Sequence, residues 1–600
     1  MRLLKPDELP PALLPVTALL ALGAGPVSSH DQWQEWRGQT LSLPITVQVT
    51  GGHGFPAESG WHLVVETSTF PAKVNVFPDV ELGPRDTYPH QNPVGDAVEN
   101  KPWRDGNPCI AEPSVVWGER LGGTNEPSDL ADRLVWVIER FGKWCEAASD
   151  GHLHVLGDHF EMPPLPGAGG AMSIGFSESD IDLGRWISLG DRYGGAELVE
   201  VSKHKHVVAV QSWSGQDGSP LHAPQWGHRI SKASKINVTC RWLRLSSLPI
   251  TCAWQLPRTY NELRVCLQND GHDLGEILAT LGRLARRTEV RGRAVLMLGF
   301  PIPELFGGAD ARMHWLAISD IPLAKKNGNV DGFRNTETNR ERQDSSLAHS
   351  RRRLTWIKCE NWAPDQLRTR LRERPVVGDF KVLMIGAGSL GSQVAETLAR
   401  SGITQIDVQD RDTLSVGNLC RHSLDLTDTG CYKAEALVDR LNRIQPDMQS
   451  KAAPSAFPER MSADPPYDEY DVILDCSGEN SVLRAIGRID WHREKIFISL
   501  SMTWAAEGLL TWVSSGTALA AAEVIDRLST LIERLGQPVS RGRVMEGIGC
   551  WHPVFPANPA DVQLWSGIGA RVVLSALASR SDACGIYHFS DGGRVDYRAG

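Results

Sequence analysis

The sequence predicts a multidomain α/β and α+β protein: a doubly wound α/β domain at its C-terminal end, an α+β domain at its N-terminal end and a central α/β linker domain. Three observations predict this. The chain has 600 residues, more than one hydrophobic core usually supports. The stretch KVLMIGAGSLGSQVAETLARSGITQIDVQDRD, beginning at Lys381, reads as strand, glycine turn, helix and strand. Before residue 165, short strands are followed by one long helix, an α+β order.

Composition narrows the partners. Lys plus Arg total 62 against 72 for Asp plus Glu, a net charge of −10, which argues against nucleic acid or an anionic membrane as the main partner. The 11 cysteines are odd in number and contain no C-x-x-C pair, so paired zinc knuckles and a disulfide scaffold are not expected. Reduced thiols in a cytoplasmic protein are. Residues 11–29, PALLPVTALLALGAGPVSS, resemble a signal peptide, but Asp7 and Glu8 spoil the basic flank and Pro15 interrupts the apolar run. A first helix of the N-terminal domain is expected there. Nothing else approaches the ~20 uninterrupted apolar residues of a membrane span. The 20 tryptophans follow no repeat period.

Residues 1–165 form the first expected domain, with strands at WHLVVET (61–67) and AKVNVF (72–77). A helix is expected over 129–148, where Leu130, Leu134, Val137, Ile138, Phe141 and Trp144 recur at helical spacing and Ser128 suits the cap. EMPPLPGAGGAM (161–172) reads as a linker. Residues 173–355 form the linker domain, with strands at 206–213 and 293–300, a helix near 273–287 and no chemical motif. Its polar, charge-mixed segment 323–353 is expected to be a mobile connector. Residues 356–600 form the third domain.

In that third domain, Gly386, Gly388 and Gly391 mark a Rossmann-like turn that brings phosphate oxygens to a helix N-terminus, and Asp410 closes the second strand where it would suit a ribose hydroxyl. The residues that follow are not those of a hydride-transfer site. Asp410, Asp412, Asn418, Arg421 and Lys433 come in succession, and two cations and an amide near one phosphate group suit phosphoryl or adenylyl transfer, in which charge spreads over the oxygens. DVILDCSG (471–478) reads as another parallel strand with Asp475 near its C-terminal end, where a carboxylate could hold magnesium directly or through water.

GAGSLG, D-x-D, N-x-x-R, the downstream Lys and D-C-S-G together resemble the adenylation domain of ubiquitin-activating-type enzymes, the ThiF/MoeB-like family, over about 375–600. The resemblance implies ATP and Mg2+, activation of a protein C-terminal carboxylate as an acyl-adenylate, and a homodimer. It assigns Asp410 to the ribose, Asn418, Arg421 and Lys433 to the phosphates and Asp475 to magnesium. For each, and for Asp412 above all, the alternative is an ordinary surface ion pair. Family members often supply an arginine from a helix before the first strand; Arg368, Arg370 and Arg372 are the candidates, and the sequence does not choose among them.

EGIGCWHPVFPA (546–557) places Cys550 after glycines and before His552 and Pro553. That suits a loop thiol able to attack an acyl-adenylate and carry the acyl group as a thioester. A quiet core thiol is the alternative. A second cysteine lies in the first domain, where FPAKVNVFPDVELGPRDTYPHQN precedes GNPCI with Cys109, then Trp117 and the long helix. This order is similar to the ubiquitin-conjugating fold over about 50–150. YPHQN carries His90 and Asn92 without an intact His-Pro-Asn, and it lies farther before the cysteine than in that family, which leaves the oxyanion donor unassigned.

A conjugating module, a linker domain and an activating module in one chain resemble the fused ubiquitin-transferase-like proteins of bacterial cyclic-oligonucleotide antiphage (CBASS) operons. The resemblance implies that the C-terminus of a cGAS-like nucleotidyltransferase is adenylated, captured on Cys550, passed to Cys109 and joined to an acceptor lysine. A stand-alone ubiquitin-like protein as passenger and sulfur-carrier activation are the other readings.

Overall fold

The computed structural model describes all residues except 1, 24, 39, 69–71, 111–126, 167–171, 203–205, 252, 288–293, 328–329, 331–333, 370–379, 459–466, 535–544, 547–551 and 554. Cys550, Trp117, Arg370 and Arg372 lie outside the described residues. The chain forms two compact units. One comprises Met1–His222 and Lys235–Asn361, the other Ala223–Ser234 and Trp362–Gly600.

The first unit begins with an antiparallel sheet ordered Arg2–Leu3, Gln34–Trp36, Thr40–Gln48, Glu58–Glu66, Lys73–Pro78, with Val27–Ser28 also paired to Thr40–Gln48. Its apolar face is covered by the helices Leu14–Leu22 and Leu130–Asp150. Val16 and Leu20 of the first are buried in the same core as Trp61, Phe141 and Trp144. The apolar stretch near the N-terminus is thus spent as a packed helix, as its interrupted run suggested. Asp129, not Ser128, caps the long helix: its carboxylate accepts the N–H groups of Ala131 (2.9 Å) and Asp132 (3.3 Å). A charged acceptor at the positive helix end is the better cap.

The remainder of this unit is built on a sheet that closes on itself. Val207–Ser214, Ser173–Phe176, Thr355–Asn361, Asp310–Ser319, Ala294–Pro303, Thr239–Arg244 and Tyr193–Ser202 pair in that order, and Tyr193–Ser202 pairs back with Val207–Ser214. Alternation along the strands divides their side chains between two cores. Trp242, Val295, Met297 and Trp315 lie in one core with Trp186 and Trp213. Leu243, Leu296 and Leu298 lie in another with the helices Tyr260–Asn269 and Leu274–Arg287. Part of the high tryptophan content is explained here: Trp213 and Trp315 stack at 4.4 Å, and Trp186 meets Trp315 edge-on at 5.0 Å.

The expectation of a mobile connector over 323–353 is corrected for 337–349. Glu337–Ser346 is a helix continuing into the 3-10 turn Leu347–His349. Asp344 is buried and accepts from Arg286 at 2.7 Å and from the Ala324 N–H at 2.6 Å. A polar segment is ordered here by a distant cation that local composition does not reveal.

The second unit carries a sheet ordered Ala452–Ala453, Gln405–Gln409, Lys381–Ile385, Val472–Asp475, Lys495–Met502, Gly508–Gly516, Ala583–Ser590, Arg594–Ala599. The first five strands are parallel and the rest antiparallel. Pro559–Ser579 is the one helix among the described residues long and apolar enough to cross a membrane. Its Trp565, Ala570, Val573 and Ala576 are fully or nearly fully buried in the sheet's core. Residues Ala223–Ser234, inside the expected linker domain by sequence, belong to this unit. Gly227 and His228 donate their N–H groups to Pro446 (2.7 Å) and Met448 (2.8 Å).

Candidate functional site

The strand Lys381–Ile385 has Gln405–Gln409 on one side and Val472–Asp475 on the other, so the chain order reverses there, and ligands of such sheets bind at the C-terminal strand ends beside that point. Ile385 and Asp475 stand opposite each other in register. The glycine turn and Asp475 are therefore neighbours.

The turn is built from close backbone approaches. Gly386 has φ +95°, and a Cβ there would meet Ser477 backbone at 2.8 Å, so only glycine fits without displacement. A Cβ on Gly391 would come within 2.1 Å of the Gly386 carbonyl oxygen. Gly388 caps the helix Ser389–Arg400 and has nothing within 4 Å of where its Cβ would be, which leaves the helix N-terminus approachable by a phosphate.

Asp410 sits at the end of the next strand and accepts the N–H of Ala387 at 2.6 Å and of Asp412 at 2.7 Å. His422, which the sequence reading did not single out, binds the Ala387 carbonyl through Nε2 at 2.7 Å. Its Nδ1 accepts the Leu424 N–H at 3.1 Å, so Nε2 carries the proton. Burial holds this imidazole below its ordinary pKa. No spacing rule marks such a residue; only the fold brings it under the turn.

Of the other expected residues, Lys433 reaches Asp412 at 3.1 Å, the surface-pair geometry weighed for Asp412. Asn418 accepts from the N–H and hydroxyl of Ser415 at 3.1 Å each. The carbonyl of Arg421 accepts from Gln393 at 3.0 Å, while its own N–H bonds to Asn418. Arg368 pairs with Asp447 at 2.6 Å and lies beside Gly402. That is the C-terminal end of the helix Ser389–Arg400, away from the glycine turn.

Asp475 is buried, and burial raises its pKa despite the hydrogen bonds it accepts from Ser477 (2.6 and 3.0 Å) and Ser499 (2.9 Å). Glu479 adds a nearby negative charge. No group of three metal-ligating side chains occurs among the described residues. A magnesium ion brought with nucleotide phosphates needs only one or two carboxylates, and a desolvated carboxylate with spare lone pairs beside the phosphate turn fits that role.

In the first unit, Cys109 is exposed and lines a cleft of about 520 Å³. Its N–H donates to the His90 carbonyl at 2.6 Å. Asn92 bonds Asn107 through both backbone (3.1 Å) and side chain (3.0 Å), and Asn107 reaches Asn75 at 3.3 Å. The structure thus lays YPHQN alongside the cysteine segment despite the long intervening sequence. Cys145, at the other extreme, is buried and its thiol is pushed well up by desolvation.

Comparisons with known proteins follow the same division. The prokaryotic E2 family A model matches residues 7–181, the Cap2 central linker domain model 151–362 and the ThiF family model 369–528. The ATP-dependent ubiquitin transferase-like protein Cap2 of Enterobacter hormaechei subsp. hoffmannii is 36% identical over 556 residues, 92% of each chain. The adenylyltransferase and sulfurtransferase UBA4 of Kluyveromyces lactis is 38% identical over 100 residues, 16% of this chain and 22% of its own. Escherichia coli MccB, in a crystal structure with AMPCPP and MccA, is similar at a TM-score of 0.26 and 16% identity, over 45% of this chain and 73% of its own. With E2-like, linker and ThiF domains in this order, the chain belongs to the Cap2 family of ATP-dependent ubiquitin transferase-like proteins.

Proposed function

We propose that this chain is a cytoplasmic, homodimeric conjugating enzyme of CBASS defence. In this reading it adenylates the C-terminal carboxylate of a cGAS-like nucleotidyltransferase, carries it on Cys550 and then Cys109, and joins it to an acceptor lysine. The observation that carries the reading is Cys109: an exposed thiol in a built cleft, on the chain that also has a glycine turn and a buried carboxylate at a sheet's switch point.

The passenger carboxylate attacks the α-phosphorus of ATP and pyrophosphate leaves. The glycine turn and the helix N-terminus hold phosphate oxygens, Asp410 the ribose, and Asn418, Arg421 and Lys433 meet the charge that grows on those oxygens. Lys433 must exchange Asp412 for phosphate. Asp475 is the residue to hold magnesium, which when bound supplies neutralising charge to the phosphates. Cys550 sulfur then attacks the acyl carbon and AMP leaves. Exchange to Cys109 swaps one thioester for another at little net cost, and the acceptor amine closes the sequence with an isopeptide bond.

Cys550→Ser and Cys109→Ser proteins, recovered from the native host and weighed intact, test this. An ester on either serine ending in a nucleotidyltransferase C-terminus is the expected result. A small ubiquitin-like protein there would keep the relay and change the passenger. Bare serines in both, with passenger-dependent ATP consumption intact in the wild type, would remove the relay.

A further inference from the structure

The Cys109 cleft holds a second pair of chemical groups. His90 Nδ1 lies 2.7 Å from a carboxylate oxygen of Glu161. Both residues line the cleft with Cys109, and their side chains are 43% and 45% exposed, open to an incoming substrate. We propose that His90, oriented by Glu161, removes the proton from the acceptor amine as it attacks the thioester on Cys109. The inference rests on Cys109 being the thioester carrier.

Three features separate this pair from an ordinary surface ion pair, which needs no special backbone. His90 is held at φ +54°, a conformation uncommon for side-chain-bearing residues and often kept at functional sites. The loop is locked from below: buried Gln91 accepts the Tyr88 N–H at 2.9 Å and donates to the Gly106 carbonyl at 2.8 Å. The Cys109 N–H bonds the His90 carbonyl, so the residues bearing imidazole and thiol are joined directly.

Glu161 comes from a different part of the unit. Its neighbour Phe160 donates its N–H to the Glu304 carbonyl at 2.9 Å, and Met162 packs against the core around Leu296 and Leu298. The barrel-bearing domain thereby presents a carboxylate to the conjugating cleft. The segment expected to be a plain linker forms one wall of that cleft through Glu161, Met162 and Pro164. His154, whose ring lies 6.0 Å from that of His90, is pushed down to about 4 by burial and adds no competing charge at neutral pH.

The chemistry is balanced. A lysine amine forms its bond to the thioester carbonyl carbon, the carbon–sulfur bond breaks, and Cys109 leaves as thiolate. The proton lost by the amine passes to His90 Nε2, whose lone pair is available when Nδ1–H is donated to Glu161. The carboxylate stabilises the imidazolium until the proton returns to solvent. Glu161 is a positioning residue.

The test uses the full chain and a glycine-ended peptide thioester exchanged onto Cys109, with Cys109→Ala identifying label on other thiols. Discharge to lysine is compared with discharge to hydroxylamine, whose far less basic nitrogen, once bonded to the carbonyl carbon, gives up its proton to water without a base in the cleft. His90→Asn, which tolerates positive φ, should lower the lysine-to-hydroxylamine ratio by about 100-fold, and imidazole in the buffer should restore part of it. Glu161→Gln should lower the ratio about 10-fold. A structural defect would slow both amines alike and leave the ratio unmoved. Unchanged ratios in both variants overturn the inference alone. If the wild type shows no Cys109-dependent loading, the carrier reading falls and takes this one with it.

Discussion

The carboxylate of Asp410 accepts the backbone N–H of Ala387 at 2.6 Å, in the middle of the glycine turn. The residue expected to meet the ribose therefore also sets the shape of the glycine turn. Asp410→Ala should cost ATP use through both effects, lowering kcat/KM for ATP in pyrophosphate exchange by about 10- to 100-fold, the worth of a charge-assisted hydrogen bond. Asp410→Asn, which keeps one acceptor, should fall between that variant and the wild type.

His422 holds the carbonyl of the same residue, Ala387, in the peptide that follows. Because burial depresses its pKa in the folded protein, its contribution is present above the ordinary imidazole pKa. It is lost as pH falls through the depressed value. His422→Phe should raise KM for ATP about tenfold at neutral pH. The wild-type advantage over this variant should shrink on acidification; a constant advantage across the acid range would contradict it.

Asp475 gives a metal-dependent prediction. Asp475→Asn preserves much of the hydrogen bonding to Ser477 and Ser499 but removes the charge. Pyrophosphate exchange should fall about 100-fold, and half-saturation should move to higher magnesium concentration. An unchanged magnesium titration would reassign this carboxylate to folding.

The legible parts of the molecule are those whose signal is local. The glycine turn, the strand ending at Asp475 and the helix carrying Leu134, Ile138 and Phe141 each announce themselves within one element. What was missed depends on partners distant in sequence. His422 acts on Ala387, Gln91 locks the loop beside Cys109, and Asp344 waits for Arg286. The closed sheet was not foreseeable either, because Ser173–Phe176 pairs with strands both near and far in sequence. Local pattern says which side chains are apolar but not which strand they will meet.

Glu178 supplies a pH prediction for the tryptophan core. Its buried carboxyl accepts both Trp186 and Trp315 indole N–H groups, at 2.9 and 3.1 Å. Burial pushes its pKa up to about 8, against the pull of those two donors. A carboxyl protonated more readily folded than unfolded contributes stability that is complete below its ordinary pKa and is lost as pH rises towards about 8. Thermal unfolding followed by tryptophan fluorescence should therefore show Tm falling between pH 5 and pH 8, about that window. Glu178→Gln should flatten that part of the slope.

Arg286 and Asp344 form a buried pair in which loss and replacement should have different consequences. Asp344→Ala leaves the guanidinium in a site where its side chain is 6% exposed, with Glu337 as its one remaining charged partner among the described residues. The expected destabilisation is about 3–5 kcal/mol, read as a lower urea midpoint of the first unit's fluorescence transition. Arg286→Met combined with Asp344→Leu removes both charges and their desolvation, and should recover most of that loss. If the double variant is as unstable as the single one, the pair's role is not charge compensation. The hydrogen bond from Ala324 to Asp344 would then be what orders the helix Glu337–Ser346.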